Sequence, residues 1–302
     1  MNVFITGLNG FIAHHLATWL AERGCVVTGT SRSGSEQFHA IAWQLGDPVD
    51  STTLAGVDVV IHAAHDFKPG AMNTNIKGTV AMERAAAAAG VQRQILVSSL
   101  SARPDAVSEY GRTKLAEEEH FICNSHTIVR PGTVLGRGGL FGKMAGMLKR
   151  FPVLPLLDGG RARMTVIGVH DLCRALEAIL QIFNPKQYNL YYEDMPTLGE
   201  VLRQLQIVLN RKVIFVPVPA AFLLLPLSVL RYFHIRAPID VDNLKGYLTN
   251  LAPYYPTNLS SVLARPSTLQ AALAEAWVGQ STSDRYPFHN FNLPADKQGT
   301  KM

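Results

Sequence analysis

The chain of 302 residues is 47% hydrophobic and 17% charged, which suits a compact globular protein with one large domain and a smaller lobe. Its formal charge of +5 gives no reason to expect a nucleic-acid partner, because it is spread evenly: 14 Lys and Arg against 12 Asp and Glu in residues 1–151, and 14 against 11 in residues 152–302. Three scattered cysteines, Cys25, Cys123 and Cys173, have neither the pattern of a disulfide framework nor metal-ligand spacing, so no metal is expected and a reducing cytoplasm is the expected location. Met1-Asn2 leads straight into the first strand without a basic or cleavable leader, and export is not expected.

Taken in chain order, short apolar runs alternate with longer helical patterns. Strands are expected at residues 2–5, 25–30, 40–43, 58–62, 94–98 and 126–130, and helices near 11–23, 72–89 and 108–123. This alternation is the pattern of an α/β fold, a Rossmann-type doubly wound parallel sheet with helices on both faces. After Arg130 the pattern loosens into a glycine-rich loop at Gly136–Gly142, a short helix at Met144–Arg150 and a clearer helix at Val169–Phe183. The expected division is a dinucleotide-binding domain over 1–192, with 136–165 contributing to a substrate lobe, a smaller and mostly helical lobe with one strand over 193–279, and a polar tail over 280–302.

Val213–Leu230 is an uncharged run just long enough to span a bilayer, but Pro217, Pro219 and Pro226 interrupt it. A strand at Val213–Val216, a turn and a buried helix from about Ala220 fit it better, so a membrane span is not expected. The apolar surface could serve as a wall of the substrate pocket, a homodimer surface or a shallow membrane contact.

Two local patterns carry chemistry. In Thr6-Gly7-Leu8-Asn9-Gly10-Phe11-Ile12-Ala13, a strand turns into a helix, and Gly7 and Gly10 allow a tight turn and close approach of backbone N–H groups to a pyrophosphate. Asn9, Phe11 and Ile12 complete the candidate cofactor turn. Tyr110 and Lys114, four residues apart on a helix, share one face, so the ammonium can stabilise the phenolate and bring its pKa towards neutrality. A proton-transfer group paired with a dinucleotide implies redox chemistry at a carbon bearing oxygen. The end of the second strand, where a carboxylate would hold the ribose hydroxyls of NAD, reads Ser31-Arg32-Ser33, which suits a 2′-phosphate; NADP is expected, with NAD as the alternative.

With Asp58–Ala64, Asn75–Thr79, Ile95–Ser99 and Arg130–Gly132 following in order, residues 1–275 resemble the extended short-chain dehydrogenases/reductases, the NAD-dependent epimerase/dehydratase family. The resemblance implies that Asp47 contacts the adenine amino group, that Ala63, Ala64, Pro131 and Thr133 line the cofactor's path, and that Ser99 binds the reacting oxygen with Tyr110. It also implies that Lys114 holds the nicotinamide ribose. Ser98 or Ser101 could stand in for Ser99. Thr133 replaces the Asn of many nucleotide-sugar enzymes, and Ser99 and Tyr110 are closer in sequence than is usual there, which points to a differently shaped pocket. His62 and the pair His170-Asp171 are expected to be structural, Arg161 and Arg163 to hold a substrate phosphate or stand exposed, and Glu117–Glu119 to form a solvated helix face.

The leading reading is an NAD(P)-dependent oxidoreductase acting on a carbonyl or alcohol carbon through Ser99, Tyr110 and Lys114, its small-molecule substrate a nucleotide sugar or an apolar ketone. The alternatives are a nucleotide-sugar epimerase or dehydratase with tightly bound NAD(P), and a non-catalytic NADP-binding structural or regulatory protein.

Overall fold

The computed structural model describes residues 1–182, 186–219 and 253–278. The expected helix from Ala220 and the tail at 280–302 lie outside them.

Seven parallel strands form the central sheet: β1 (Asn2–Ile5), β2 (Val26–Ser31), β3 (His39–Ala42), β4 (Val59–His62), β5 (Arg93–Val97), β6 (Thr127–Pro131) and β10 (Gln187–Leu190). Their order, β10-β6-β5-β4-β1-β2-β3, reverses direction beside β1, the switch point at which doubly wound sheets bind ligands. Alternation along the strands builds both faces at once. Val3, Ile5, Val59 and Ile61 face one core, with Leu16 and Leu20 of α1 (Phe11–Ala21) and Leu172, Leu176 and Ile179 of α5 (Val169–Gln181). Phe4 and Val60 point the other way, into a second core with Met82 and Ala86 of α2 (Met72–Ala88). Beside α2 lies α3 (Glu109–Cys123), whose Phe121 packs on Leu96 and Ile128.

The strands and helices expected in the first half are all found, with ends shifted by one or two residues. Four strands of the second half were not expected: β10, and the short strands β7 (Thr133–Leu135), β8 (Val153–Leu157) and β9 (Val166–Gly168). β7 pairs with β9, and β8 with β11 (Ile214–Val218), the strand expected at 213–216. Helix α4 (Gly139–Arg150) begins inside the glycine-rich loop because Gly142 packs its backbone on Arg137, where a Cβ would lie 2.8 Å from the carbonyl carbon. Helix α6 (Leu198–Val208) starts with a capping box between Thr197 and Glu200.

The far end of the chain returns to the sheet. Asn258 and Asn189 exchange hydrogen bonds along β10, from Asn258 N to Asn189 O (3.0 Å) and from Asn189 N to Asn258 Oδ1 (2.7 Å). Helix α7 (Leu269–Val278) then buries Ala272 and Leu273 against α5 and β9. Buried Asp171 at the start of α5 accepts from Tyr192 Oη and from the backbone N–H of Ser267, both at 2.7 Å, and His170 lies 3.6 Å from Glu275. The pair His170-Asp171 is therefore structural, as expected. Among the described residues no helix is long and apolar enough to cross a membrane.

Candidate active site

A cleft of about 820 Å³ runs along the carboxyl ends of the strands, from the turn after β1 to the start of α3. At its first end Gly7 has φ +75°, and a Cβ there would meet Ala64 Cα at 3.0 Å. Gly10 N donates to Gly7 O at 2.7 Å and closes the turn. Gly10 caps α1 without a side-chain hydrogen bond, leaving the first amides of the helix available to an anion. The backbone thus fits a pyrophosphate. Phe11 is seated on the loop after β7, where a Cβ at Gly136 or Gly138 would collide with its ring.

Asn9 lines the cleft and ties the next loop down: Nδ2 donates to Ser31 Oγ and Gly34 O, both at 2.9 Å, and to Ser33 Oγ at 3.4 Å. Ser31 is buried, and Arg32 is exposed on the cleft wall beside Ser33. Asp47 does not line the cleft. Its Oδ2 accepts from Gln44 N at 3.1 Å, so the carboxylate shapes the turn after β3, and Trp43, Gln44 and Leu45 form the wall in its place.

The other end is built by α3. Ser108 caps it through Gly111 N, which sets Tyr110 in the first turn and Lys114 one turn on. Tyr110 is hydrogen-bonded to Ser99. The Ser99 hydroxyl also accepts from Ser101 N at 3.1 Å, and Ser99, Tyr110 and Lys114 line the cleft with Pro131 and Thr133. Ser98 also reaches the cleft, but its hydroxyl donates to Glu118, which leaves Ser99 as the serine joined to the phenol. Ala63 and Ala64 line the floor, their N–H groups both 3.0 Å from Thr6 Oγ1. Buried Asn75 fixes the loop after β4 through Asp66 and Ala71, and His62 packs beneath the site against Gln94. Arg163 lines the cleft and donates to Met195 O; Arg161 is exposed and does not line it.

Two expectations are corrected. The carboxylates after Lys114 do not form a solvated face: Glu117 and Glu118 are fully buried, and of the three only Glu119 is exposed. Glu117 pairs with Lys114 Nζ at 2.9 Å, while Glu118 takes a two-pronged bond from Arg130, at 2.8 and 2.6 Å. The Tyr110 phenol does not move towards neutrality. Burial pushes it above its ordinary value, outweighing the pull of Lys114 and of the Ser99 hydrogen bond, and Glu117 pushes the same way as burial.

His65 is a cleft residue that sequence reasoning missed. Its ring meets that of Tyr110 edge-on at 5.0 Å, its Nδ1 is buried without a hydrogen-bond partner, and burial holds it neutral, down at about 2. Phe67, 74% exposed, stacks on Tyr110 at 5.7 Å. Their place directly after Ala63-Ala64, at the end of a buried strand, was the available signal.

A doubly wound sheet with an open glycine turn at its switch point and a Ser, Tyr and Lys cluster beyond β5 defines a dinucleotide-binding protein of the extended short-chain dehydrogenase/reductase class. Residues 3–190 match the NAD dependent epimerase/dehydratase family, and the chain belongs to it. It is 35% identical over 195 residues to the ceramide reductase of Caulobacter vibrioides (strain NA1000 / CB15N), a match covering 58% of this chain and 60% of that protein. It is 27% identical over 199 residues to the mitochondrial NADH dehydrogenase [ubiquinone] 1 alpha subcomplex subunit 9 of Arabidopsis thaliana, covering 59% and 49%. The chain thus spans between half and three-fifths of the length of these curated relatives. Among solved structures, MoeE5 in complex with UDP-glucuronic acid and NAD superposes with a TM-score of 0.71 at 20% identity, over 91% of this chain and 97% of that one; it shows the shared fold.

Proposed function

We propose that this protein is an NADP-dependent oxidoreductase that reduces a carbonyl, or oxidises the matching alcohol, at the cleft end formed by Ser99, Tyr110 and Lys114. The observation that carries this reading is that Tyr110, joined to Ser99 and on the same helix face as Lys114, ends the cleft that begins at the open glycine turn. Gly7, Gly10 and the first amides of α1 would hold the pyrophosphate, Arg32, Ser31 and Ser33 a 2′-phosphate, and Ala63, Ala64, Pro131, Thr133 and Lys114 the length of the cofactor. When bound, the dinucleotide would supply or accept the hydride. Ser99 orients the substrate oxygen, and in reduction Tyr110 gives it a proton as the carbonyl π pair moves onto that oxygen. Phe67 and Leu140, both exposed on the cleft wall, favour an apolar carbonyl substrate, as does the likeness to a ceramide reductase.

Consumption of added NADPH with a panel of ketones separates net reduction from epimerisation or dehydration, in which the cofactor is regenerated each cycle. Tyr110→Phe should keep dinucleotide binding and lose turnover by about two orders of magnitude or more, the scale of a lost general acid. Near-normal turnover would remove Tyr110 from this role. A protein that binds NADPH and turns over neither ketones nor nucleotide sugars would favour the structural reading, in keeping with the relative named as a subunit of NADH dehydrogenase.

A further inference from the structure

Lys114 is ordinarily expected to lend its positive charge to the tyrosine beside it. Here that charge is shared. Its Nζ donates to Glu117 Oε2 at 2.9 Å and to Val97 O at 3.1 Å, and the two charged side chains are 4% and 0% exposed. Glu117 is locked from the other side, since Thr79 Oγ1 on α2 donates to its Oε1 at 3.2 Å. The ion pair therefore lies within α3 and is tied to α2 by Thr79, in a water-poor interior where a carboxylate keeps its influence over several ångströms.

We propose that Glu117 is a positioning residue that draws the charge of Lys114 away from Tyr110, so that the phenol stays protonated and the site is set for proton donation, that is, for carbonyl reduction. The inference rests on the reading of Tyr110 as the proton-transfer group. The groups around the phenol agree with it. On α3, Glu117 opposes ionisation of Tyr110 directly, and Glu118, engaged by Arg130 and Ser98, adds a second negative charge acting on Lys114. From the loop after β4, His65 contributes a neutral ring, and from the loop after β5 Ser99 contributes one hydrogen bond. Glu109 is engaged elsewhere, accepting from the N–H groups of Gly70 and of Met72 at the start of α2. Burial alone would lower the Lys114 ammonium, yet Glu117 and Tyr110 hold it above its ordinary value, which keeps the pair ionised. A site built to ionise its tyrosine would have no use for a buried carboxylate at this position.

The test needs no substrate. A fluorinated tyrosine placed at position 110 ionises at lower pH than tyrosine, within the range where the protein stays folded, and its titration is read by fluorine NMR. In Glu117→Gln its midpoint should fall by about one pH unit or more, on the scale of a lost like charge near an ionisable group. Equal midpoints in the two folded proteins would overturn the proposal. If Glu117→Gln does not fold, Glu117→Asp, whose shorter side chain draws the carboxylate back from Lys114 Nζ, decides: a midpoint below that of the protein carrying Glu117 supports the proposal, and an equal one overturns it. Because nothing is turned over, failure of the catalytic reading would show separately, as retained turnover in Tyr110→Phe.

Discussion

The residues that sequence reasoning placed in the site are those whose role depends on local geometry. Gly7 and Gly10 are required by one turn, and Tyr110 and Lys114 meet because an α-helix repeats every 3.6 residues. Glu117 and His65 were not legible for the opposite reason, since burial by α2 and by the ring of Tyr110 decides their state, and neither contact is local in sequence. That Asp47 caps a turn outside the cleft lining was not legible, because a carboxylate near a turn can cap that turn as easily as it can reach a ligand. Arg32 carries the cofactor assignment. The loop that bears it is fixed by Asn9, so a 2′-phosphate would meet a prepared site, and NADPH should bind more tightly than NADH. Arg32→Ala should remove most of that difference, about 1.5–3 kcal/mol for a hydrogen bond to a charged group, as measured by calorimetry. Equal affinities in the unaltered protein would mean that the NADP assignment is wrong.

At the scale of elements, periodicity was informative wherever a strand had both faces buried or a helix one apolar stripe. It failed for β10, whose Gln187 and Asn189 read as loop but pair with β6 at the sheet edge, and for the three-residue strands β7 and β9, too short to show a period. It also gave no hint of how α2 meets α3. There Glu83, buried on α2, receives His120 of α3 and His126 ahead of β6, both at 2.8 Å. Burial alone would raise this carboxyl, but the two imidazole hydrogen bonds and charges outweigh it and hold it below its ordinary value of 4.5. A carboxylate whose pKa is lowered by folding contributes stability that is complete above its unfolded pKa and is lost as the pH falls through the folded one. The protein should therefore lose stability below about pH 4.5, and Glu83→Gln should flatten that part of the acid-unfolding curve followed by circular dichroism. An unchanged acid limb in the variant would show that the clamp contributes nothing there.

At the scale of the whole molecule, the first 130 residues revealed their architecture in sequence because β1, β4 and β5 are each followed directly by a long helix, α1, α2 and α3. The second half did not, because its elements are completed by partners far along the chain. Arg137 donates to the carbonyl of Ala276, Asp171 accepts from Ser267, and Asn189 is hydrogen-bonded to Asn258. These contacts bear on how the protein is made. A ribosome releases the chain from its amino end, so the glycine turn and the tyrosine helix emerge long before the segment that seals β10 and α5. During that interval only the part of α5 that α7 later covers is left open, since its other apolar residues already have α1 and the sheet to pack on. The last step of folding must then follow synthesis of the 253–278 segment, and a nascent chain stalled earlier is a natural client for a chaperone. A chain ended at residue 252 should show this directly: calorimetry should find no cooperative transition like that of the complete chain, whereas an unaltered transition would mean that the returning segment only decorates a domain already folded.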